Sequence, residues 1–351
     1  MPEDLPQHPQ PSHGHQHERL GWTPGDDTSF ALAHEGARIA RVVIVHGGYA
    51  DVMLLVDGYM ASETVTFSSA LDVTPVAGDW AAVRDGKILG LAGRRTAVER
   101  PDPDGNRTQV LAANIDVVLI VVAAVPRPSL RAVERMQVMA WDSGATPVLV
   151  VTKADLCADP EELLDYVAPV SAGIEVVLSS IADGRGLDHL RGLIQHGTTT
   201  MLGASGAGKT SLLNALDGAD AAVAAVRRDG QGRHTTTTRR LFFMWPSGVM
   251  LDIPGIRSLS LKATQEGIAD TFEDVAGVAR NCRFGDCTHD GIAGCAVAAA
   301  VAAGEIPARR LESWLAVQRE LSFQERRNNP AAMAEQRKEW KQATKMSRKR
   351  R

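Results

Sequence analysis

The chain has 351 residues, a net charge of −4, and 44% hydrophobic against 23% charged residues, which is the balance of a globular protein with room for two or three cores. The mild negative charge excludes a protein that is basic throughout, so any RNA affinity must come from local patches. No apolar run approaches the roughly 20 residues of a membrane span, and the N-terminal stretch has no apolar signal segment, so a cytoplasmic protein without membrane contact is expected.

Residues 1–36 are rich in Pro, His, Gln, Gly and Asp and lack periodicity, which predicts a disordered tail. Its histidines, His8, His13, His15 and His17, could bind a metal, but a low-complexity tail is the favoured reading and needs no ligand. Residues 37–108 alternate short β-branched runs with Gly and Asp-Gly punctuation: "ARIARVVIVHG", "ADVMLLVDG", "ETVTFSSA", "DWAAVRDG" and "KILGLAGRRTAVE". About five strands in so short a span predict a small closed barrel, either an OB-fold with a nucleic-acid face or a barrel with no RNA role.

From Asn114 the texture changes. "IDVVLIVVAAV" and "TPVLVVTK" are continuous apolar runs, as in parallel strands buried on both faces. They alternate with helical spacings in "SLRAVERMQVMAWDSG", "DPEELLDYVAPV", "GLDHLRGLIQHG" and "KTSLLNALDG". A doubly wound α/β domain over 109–264 follows. "RLFFMWPSGVMLDIPG" reads as a hairpin, residues 265–330 as helical apart from a cysteine window, and 331–351 as a basic tail. That tail is either a phosphate-backbone contact or a solvated end.

Gly203-Ala204-Ser205-Gly206-Ala207-Gly208-Lys209-Thr210, followed by Ser211, fits the phosphate loop G-x-x-x-x-G-K-[ST], with a strand before it and a helix after. Its glycines let backbone N–H groups wrap phosphates, Lys209 neutralises β/γ charge, and Thr210 ligates Mg²⁺. Asp252-Ile253-Pro254-Gly255 ends an apolar strand. Asp252 can hold Mg²⁺ through water, and the Gly255 N–H can meet a γ-phosphate. Between them, "RRDGQGRHTTTTRR" offers Thr235 or Thr236 as a second hydroxyl for Mg²⁺.

Thr152-Lys153-Ala154-Asp155 has the chemistry to read guanine. The Asp155 carboxylate can accept the N1–H and 2-amino protons and would repel N1 of adenine, the Lys153 stem can cover the base plane, and Ser179-Ser180 can offer backbone N–H to O6. Yet this motif precedes the phosphate loop, the reverse of the ordinary order. A circular permutation resolves the conflict, because joining old termini and cutting elsewhere preserves a site at strand carboxyl ends. Downstream, Cys282, Cys287, His289 and Cys295 form C-x4-C-x-H-x5-C. Three thiolates and an imidazole suit one tetrahedral, structural Zn²⁺ per chain.

In this motif order the chain closely resembles the ribosome small-subunit-dependent GTPase A (RsgA) family over about residues 37–325. "VAGDWAAV" and "QVLAANIDVVLIV" add to the likeness. The resemblance implies a multi-domain α/β protein with an N-terminal OB-fold, a circularly permuted P-loop GTPase domain and a C-terminal helical zinc-binding domain. It also implies a monomer that binds GTP and GDP, contacts the small (30S) ribosomal subunit and its rRNA, and acts late in that subunit's maturation, with hydrolysis stimulated by the subunit. Rival expectations are a non-catalytic RNA-binding scaffold and a P-loop ATPase. Ile256 follows D-x-P-G where many GTPases carry a water-positioning Gln, so intrinsic hydrolysis is expected to be slow. His234, beside the threonines, is the nearest candidate in sequence to position the attacking water.

Overall fold

The computed structural model describes residues 16–23, 34, 36–67, 71–101, 108–195, 197–216, 240–244, 248–252, 264–289 and 291–328. The chain divides into two compact units. One comprises residues 1–98, 110–129 and 143–258, and the other 99–109, 130–142 and 259–351.

The first unit begins with five strands: β1 (Arg38–His46), β2 (Tyr49–Val56), β3 (Tyr59–Phe67), β4 (Trp80–Arg84) and β5 (Lys87–Leu91). They close into a barrel in the order β1-β2-β3-β5-β4. Alternation drives this closure. Ala50, Val52 and Leu54 of β2 point inward with Val42, Val65 and Val83, while their sequence neighbours face out. The Asp57-Gly58 turn takes φ of 51° and 80°, the left-handed pair that matches the twist of a tight hairpin.

Two expectations need correction here. The run "KILGLAGRRTAVE" is not one strand. β5 ends at Leu91, and β6 (Ala97–Pro101) pairs with β7 (Thr108–Ala113) in a separate two-stranded sheet. The intervening arginines turn the chain aside: Arg94 Nη2 meets the buried Asp79 at 2.7 Å, and Arg95 Nη2 meets Asp116 at 2.8 Å. Nor is the tail over 1–36 wholly without structure. Gln16–Leu20 forms a 3₁₀ turn, Leu20 is fully buried, and Trp22 packs edge-on against Trp80 at 4.6 Å between ring centroids. A single Leu and a single Trp supply an apolar anchor that the segment's average composition conceals.

The same unit contains a six-stranded sheet of β8 (Val117–Ala123), β9 (Thr146–Thr152), β10 (Glu175–Leu178), β11 (Thr198–Leu202), β12 (Arg240–Phe243) and β13 (Val249–Asp252). Its order is β10-β9-β8-β11-β13-β12, parallel except for β12 against β13. The β8–β11 pairing joins two halves that are far apart in sequence. Leu119, Val121, Val148 and Val150 form its core with residues of α3 (Leu187–Ile194) and α4 (Lys209–Leu216). The helix α2 (Pro160–Val167) starts where Asp159 accepts the N–H groups of Glu161 and Glu162.

Barrel and sheet meet on a buried arginine. Arg41 Nη2 donates to Thr198 Oγ1 (2.6 Å) and to the Asn114 carbonyl (3.1 Å), while its guanidinium lies 4.3 Å from the Trp80 ring centroid. Desolvating a charge in this way is tolerable only because oxygens and an aromatic face surround it.

The second unit contains α1 (Leu130–Asp142), α5 (Gln265–Thr271), α6 (Glu273–Ala279), α7 (Ala296–Ala302) and α8 (Ala308–Asn328). In sequence α1 links β8 to β9, inside the stretch 109–264. Its buried face nevertheless packs with the C-terminal helices: Val138 clusters with Ile268, Phe272, Val275 and Val317. An ion-pair network around the buried Arg310 and Glu134 fixes this packing. Arg310 donates to Glu134 Oε1 at 2.9 Å and to both oxygens of Asp274, with its guanidinium 4.4 Å from the Phe272 ring centroid. Burial opposes the Arg310 charge, but the bonds to Asp274 and Glu134 outweigh it and raise its pKa. Among the described residues no helix is long and apolar enough to cross a membrane.

Candidate functional site

The carboxyl ends of β9, β10, β11 and β13 carry the four sequence motifs to one edge of the sheet, as the doubly wound topology requires. The loop after β11 holds Gly203 to Gly208, and α4 starts at Lys209 with Thr210 and Ser211 in its exposed first turn. Gly203 sits at φ 154°, and a Cβ there would lie 2.2 Å from the Val121 carbonyl, so only glycine fits. Lys209 Nζ donates to the carbonyls of Gly203 (2.6 Å) and Ala204 (2.8 Å). Its charge therefore rests inside the loop that is built to wrap an anion.

The sequence separates the base-reading motif from this loop, but side chains join them. Thr152 Oγ1 donates to the Ala207 carbonyl at 2.6 Å, and Lys153 Nζ to the Gly206 carbonyl at 2.9 Å. Lys153 adopts φ 57°, a left-handed conformation uncommon for a side chain of its size. That twist turns the chain so that Asp155 faces solvent at the mouth, while Ala154 N–H bonds to the Ser179 carbonyl at 3.1 Å. Ser180 Oγ donates to Asp155 Oδ1 at 2.7 Å and accepts from Ala182 N–H at 3.1 Å. The carboxylate is thus held in one orientation, with acceptor sites left on both oxygens. The Ser179 hydroxyl is buried without a partner. Sequence reasoning assigned these serines only backbone roles. A hydroxyl beside a carboxylate across two strand ends leaves no spacing signal.

Asp252 ends β13. The surrounding protein displaces water from its carboxyl and raises its pKa, although the residue keeps solvent contact, and the Lys209 charge opposes that shift. Asp252 and Lys209 therefore share one electrostatic neighbourhood. Gly255, His234, Thr235, Thr236 and Ile256 lie outside the described residues.

The second unit brings Cys282, Cys287, His289 and Cys295 together, with ligand atoms all within 4.8 Å of one another, and this group could hold a metal ion. His289 takes φ 58°, which aims its ring at the sulfurs. Its Nδ1 lies 3.6 Å from Cys282 Sγ and 3.7 Å from Cys295 Sγ. Burial works against the Cys282 thiolate, but the N–H groups of Val297 and Ala296 at the start of α7 more than offset it, and its pKa is lowered. At Cys287 the His289 N–H favours the thiolate, yet burial and the neighbouring sulfurs outweigh it, so its pKa is raised. Cys295 Sγ also accepts from Ala298 N–H at 3.3 Å and so caps α7. That second role is not legible in the C-x4-C-x-H-x5-C spacing.

The chain is 40% identical to the small ribosomal subunit biogenesis GTPase RsgA of Streptomyces coelicolor, over 92% of this chain and 91% of that one. The chain belongs to the RsgA GTPase family. The profile of that family matches residues 91–262, which span the nucleotide sheet and both of its motif halves. An RsgA of Methanosarcina acetivorans is 35% identical over 90% of this chain and 88% of that one. The fold is also similar to the crystal structure of YjeQ from Thermotoga maritima, with a TM-score of 0.63 and 26% identity over 81% of this chain and 98% of that one. As an RsgA family member the chain is a circularly permuted GTPase, an enzyme that hydrolyses GTP.

Proposed function

We propose that the chain hydrolyses GTP to GDP and phosphate in the late biogenesis of the small ribosomal subunit, in the cytoplasm, and that contact with the subunit's rRNA stimulates turnover. The observation that carries this reading is the hydrogen-bonded junction of Thr152 and Lys153 with the phosphate loop. It ties a guanine-selective carboxylate to an anion cradle despite their inverted order.

In this reading Gly203 to Ser211 wrap the phosphates, Asp155 and the Ser179-Ser180 strand end select guanine, and Gly255 meets the γ-phosphate. Thr210, Asp252 and one of Thr235 and Thr236 are hard oxygen donors suited to Mg²⁺, which supplies charge neutralisation at the β- and γ-phosphates. His234 positions the attacking water in place of the missing glutamine. The cysteine cluster fits Zn²⁺. Zn–S bonds of about 2.3 Å and Zn–N bonds of about 2.0–2.1 Å set tetrahedral S···N edges of about 3.6 Å. The two S···N separations are 3.6 and 3.7 Å. With four protein ligands such a site is structural.

The test is GTP turnover with and without purified small subunits. Stimulation by the subunit is expected, with His234→Ala binding GTP normally but losing the stimulated rate. Equal turnover with and without subunits would overturn the ribosomal part of the proposal. Normal stimulation in the variant would remove His234 from the chemistry.

A further inference from the structure

Residues 16–22 belong to neither the nucleotide nor the metal site, yet they touch both the barrel and the nucleotide sheet. Leu20 and Trp22 cluster with Trp80 of β4 and with Met53 and Leu55 of β2 on the barrel side, and with Phe243 of β12 on the sheet side. Arg19 Nη1 donates to the Gly58 carbonyl at 3.2 Å, in the turn between β2 and β3. Gly21 takes φ 78°, and a Cβ there would lie 2.9 Å from Val249 Cγ2 and 3.1 Å from both the Gly197 carbonyl oxygen and Thr198 Oγ1. The segment is thus seated on the starts of β11 and β13, the strands that end at the phosphate loop and at Asp252.

The groups beneath the segment would gain from water. Arg41 is fully buried, and its bonds to Thr198 Oγ1, the Asn114 carbonyl and the Gly21 carbonyl (3.4 Å) end on neutral oxygens. Trp80 Nε1 is buried with no hydrogen-bond partner among the described residues. A guanidinium bonded to neutral oxygens and an unpaired indole N–H both regain solvation if the joint opens. The apolar contacts of Leu20 and Trp22 oppose that opening. The segment has little hold on its own conformation. It is a five-residue 3₁₀ turn, closed by Gly21 N–H to the Glu18 carbonyl (2.9 Å) and Trp22 N–H to the His17 carbonyl (3.1 Å). So short a turn does not persist by itself, and it stays because its side chains are docked.

We propose that residues 16–22 are a latch on the joint between the barrel and the nucleotide sheet. Docked, they fasten the two as one body. Released, they give up the Gly21 carbonyl, admit water to Arg41 and Trp80, and free the barrel to move against the sheet. The device has two positions because its terms oppose each other: apolar burial closes the joint, and hydration of a cation and an indole N–H opens it. A ligand that buries Leu20 and Trp22 on its own apolar surface would hold the released position without touching the nucleotide. Neither position depends on what the nucleotide site does.

The experiment is native-state hydrogen exchange on the full chain without nucleotide. The joint amides are Asp116, bonded to the Thr198 carbonyl at 2.7 Å, Thr198, bonded to Asp116 Oδ2 at 2.7 Å, and Val249, bonded to the Gly197 carbonyl at 3.0 Å. The reference amides are Ser179, bonded to the Val151 carbonyl at the other end of the sheet, and the β2–β3 ladder of the barrel. In the parent the joint amides should exchange faster than the reference amides, because they open with the latch. Leu20→Ser should speed the joint amides by at least about tenfold and leave the reference amides within about twofold. Leu20→Met keeps the apolar volume and should leave every amide at the parent rate. Gly21→Ala, strained at its φ and pressed on Val249, is the milder variant and should act in the same direction as Leu20→Ser. A parent whose joint and reference amides exchange at one common rate has no separate opening, and that result would overturn the proposal. So would unchanged joint amides in Leu20→Ser, or joint and reference amides speeded equally, which would make the segment an ordinary piece of core. Exchange is read without GTP or ribosomal particles, so its failure leaves the proposed function standing, and failure of that function is read separately in subunit-stimulated turnover.

Discussion

The Ser180–Asp155 hydrogen bond is the finest detail of the nucleotide site, because it fixes the orientation of the carboxylate. Asp155→Asn replaces one acceptor oxygen by a donor and sets it against the N1–H or amino group of guanine. GTP affinity should fall by more than about tenfold, over 1.4 kcal/mol, and xanthosine triphosphate should gain, since its 2-oxo group can accept from the amide. Titration of the variant with both nucleotides checks this, and GTP affinity within about threefold of the parent would remove Asp155 from base recognition. Asp252 makes the opposite kind of prediction, a residue that costs the fold what it gives the ligand. Its folded pKa is raised, chiefly by loss of water, with Lys209 opposing. The folded state then holds a proton that the unfolded state releases. Stability is highest below the ordinary carboxylate value of about 3.9 and falls as pH rises through the window up to the raised value. Above that window Asp252→Asn should melt at a higher temperature than the parent when nucleotide-free, and below it the two should converge. The same variant should bind Mg²⁺-dependent nucleotide about 10- to 100-fold more weakly, as expected for a carboxylate acting through metal-bound water. Melting curves of the two proteins that keep the same separation at every pH would contradict the assignment of the shift.

Among the elements, α7 shows how one residue can hold both a helix and a metal site. With seven residues, Ala296–Ala302 is too short to persist by its own hydrogen bonds, and its first turn relies on Cys295 Sγ as a cap. Cys295→Ser keeps a capping oxygen but removes a soft thiolate. If capping alone mattered, the serine variant would be as stable as the parent. If the cluster holds Zn²⁺, the variant should lose its metal and the second unit should melt far earlier, because structural Zn²⁺ contributes on the order of 10 kcal/mol of apparent binding energy. Metal analysis beside calorimetry separates the two, and a metal-free variant with unchanged melting would sink the zinc assignment. Elements also set the limit of what the sequence disclosed. The strand-end motifs were legible because each is a local pattern in a local context: an apolar run, then Thr-Lys-Ala-Asp, Ser-Ser, Gly-rich loop or Asp. The cysteine window was legible for the same reason. What escaped was long-range. The pairing of β6 with β7 depends on where Arg94 and Arg95 find carboxylates. The anchoring of Leu20 depends on a tryptophan far along the chain. The packing of α1 with the C-terminal helices depends on Glu134 meeting Arg310, and α1 looks from its sequence like any crossover helix. None of these contacts has a period, so no reading of local spacing could contain them.

At the scale of the whole molecule, the two units are joined at places that matter for the chemistry. The chain leaves the first unit at Ser129 and re-enters at Ser143, just before β9 delivers Thr152 to Asp155. It leaves again at Ser258, shortly after Asp252. Every crossing in this region therefore adjoins a nucleotide element, while the barrel is bound into the first unit through buried Arg41. In GTPases the γ-phosphate orders the switch segments and hydrolysis releases them. If hydrolysis releases the chain beyond Asp252, the sequence places the cysteine cluster next along that path. The consequence is a thermodynamic linkage that can be measured. If GTP favours the subunit-binding state, a non-hydrolysable GTP analogue must strengthen binding to the small ribosomal subunit, and the subunit must strengthen analogue binding by the same factor. A factor of about 5 to 150 is expected, the range of 1–3 kcal/mol common to coupled sites. The measurement is subunit affinity with GDP and with the analogue, at one stated salt concentration because contacts between basic side chains and rRNA weaken with salt. The reciprocal titration of analogue with and without subunits must give the same ratio. Equal subunit affinity in the two nucleotide states would mean that the γ-phosphate biases nothing beyond its own site, and the placement of the chain crossings beside the nucleotide elements would then carry no signal.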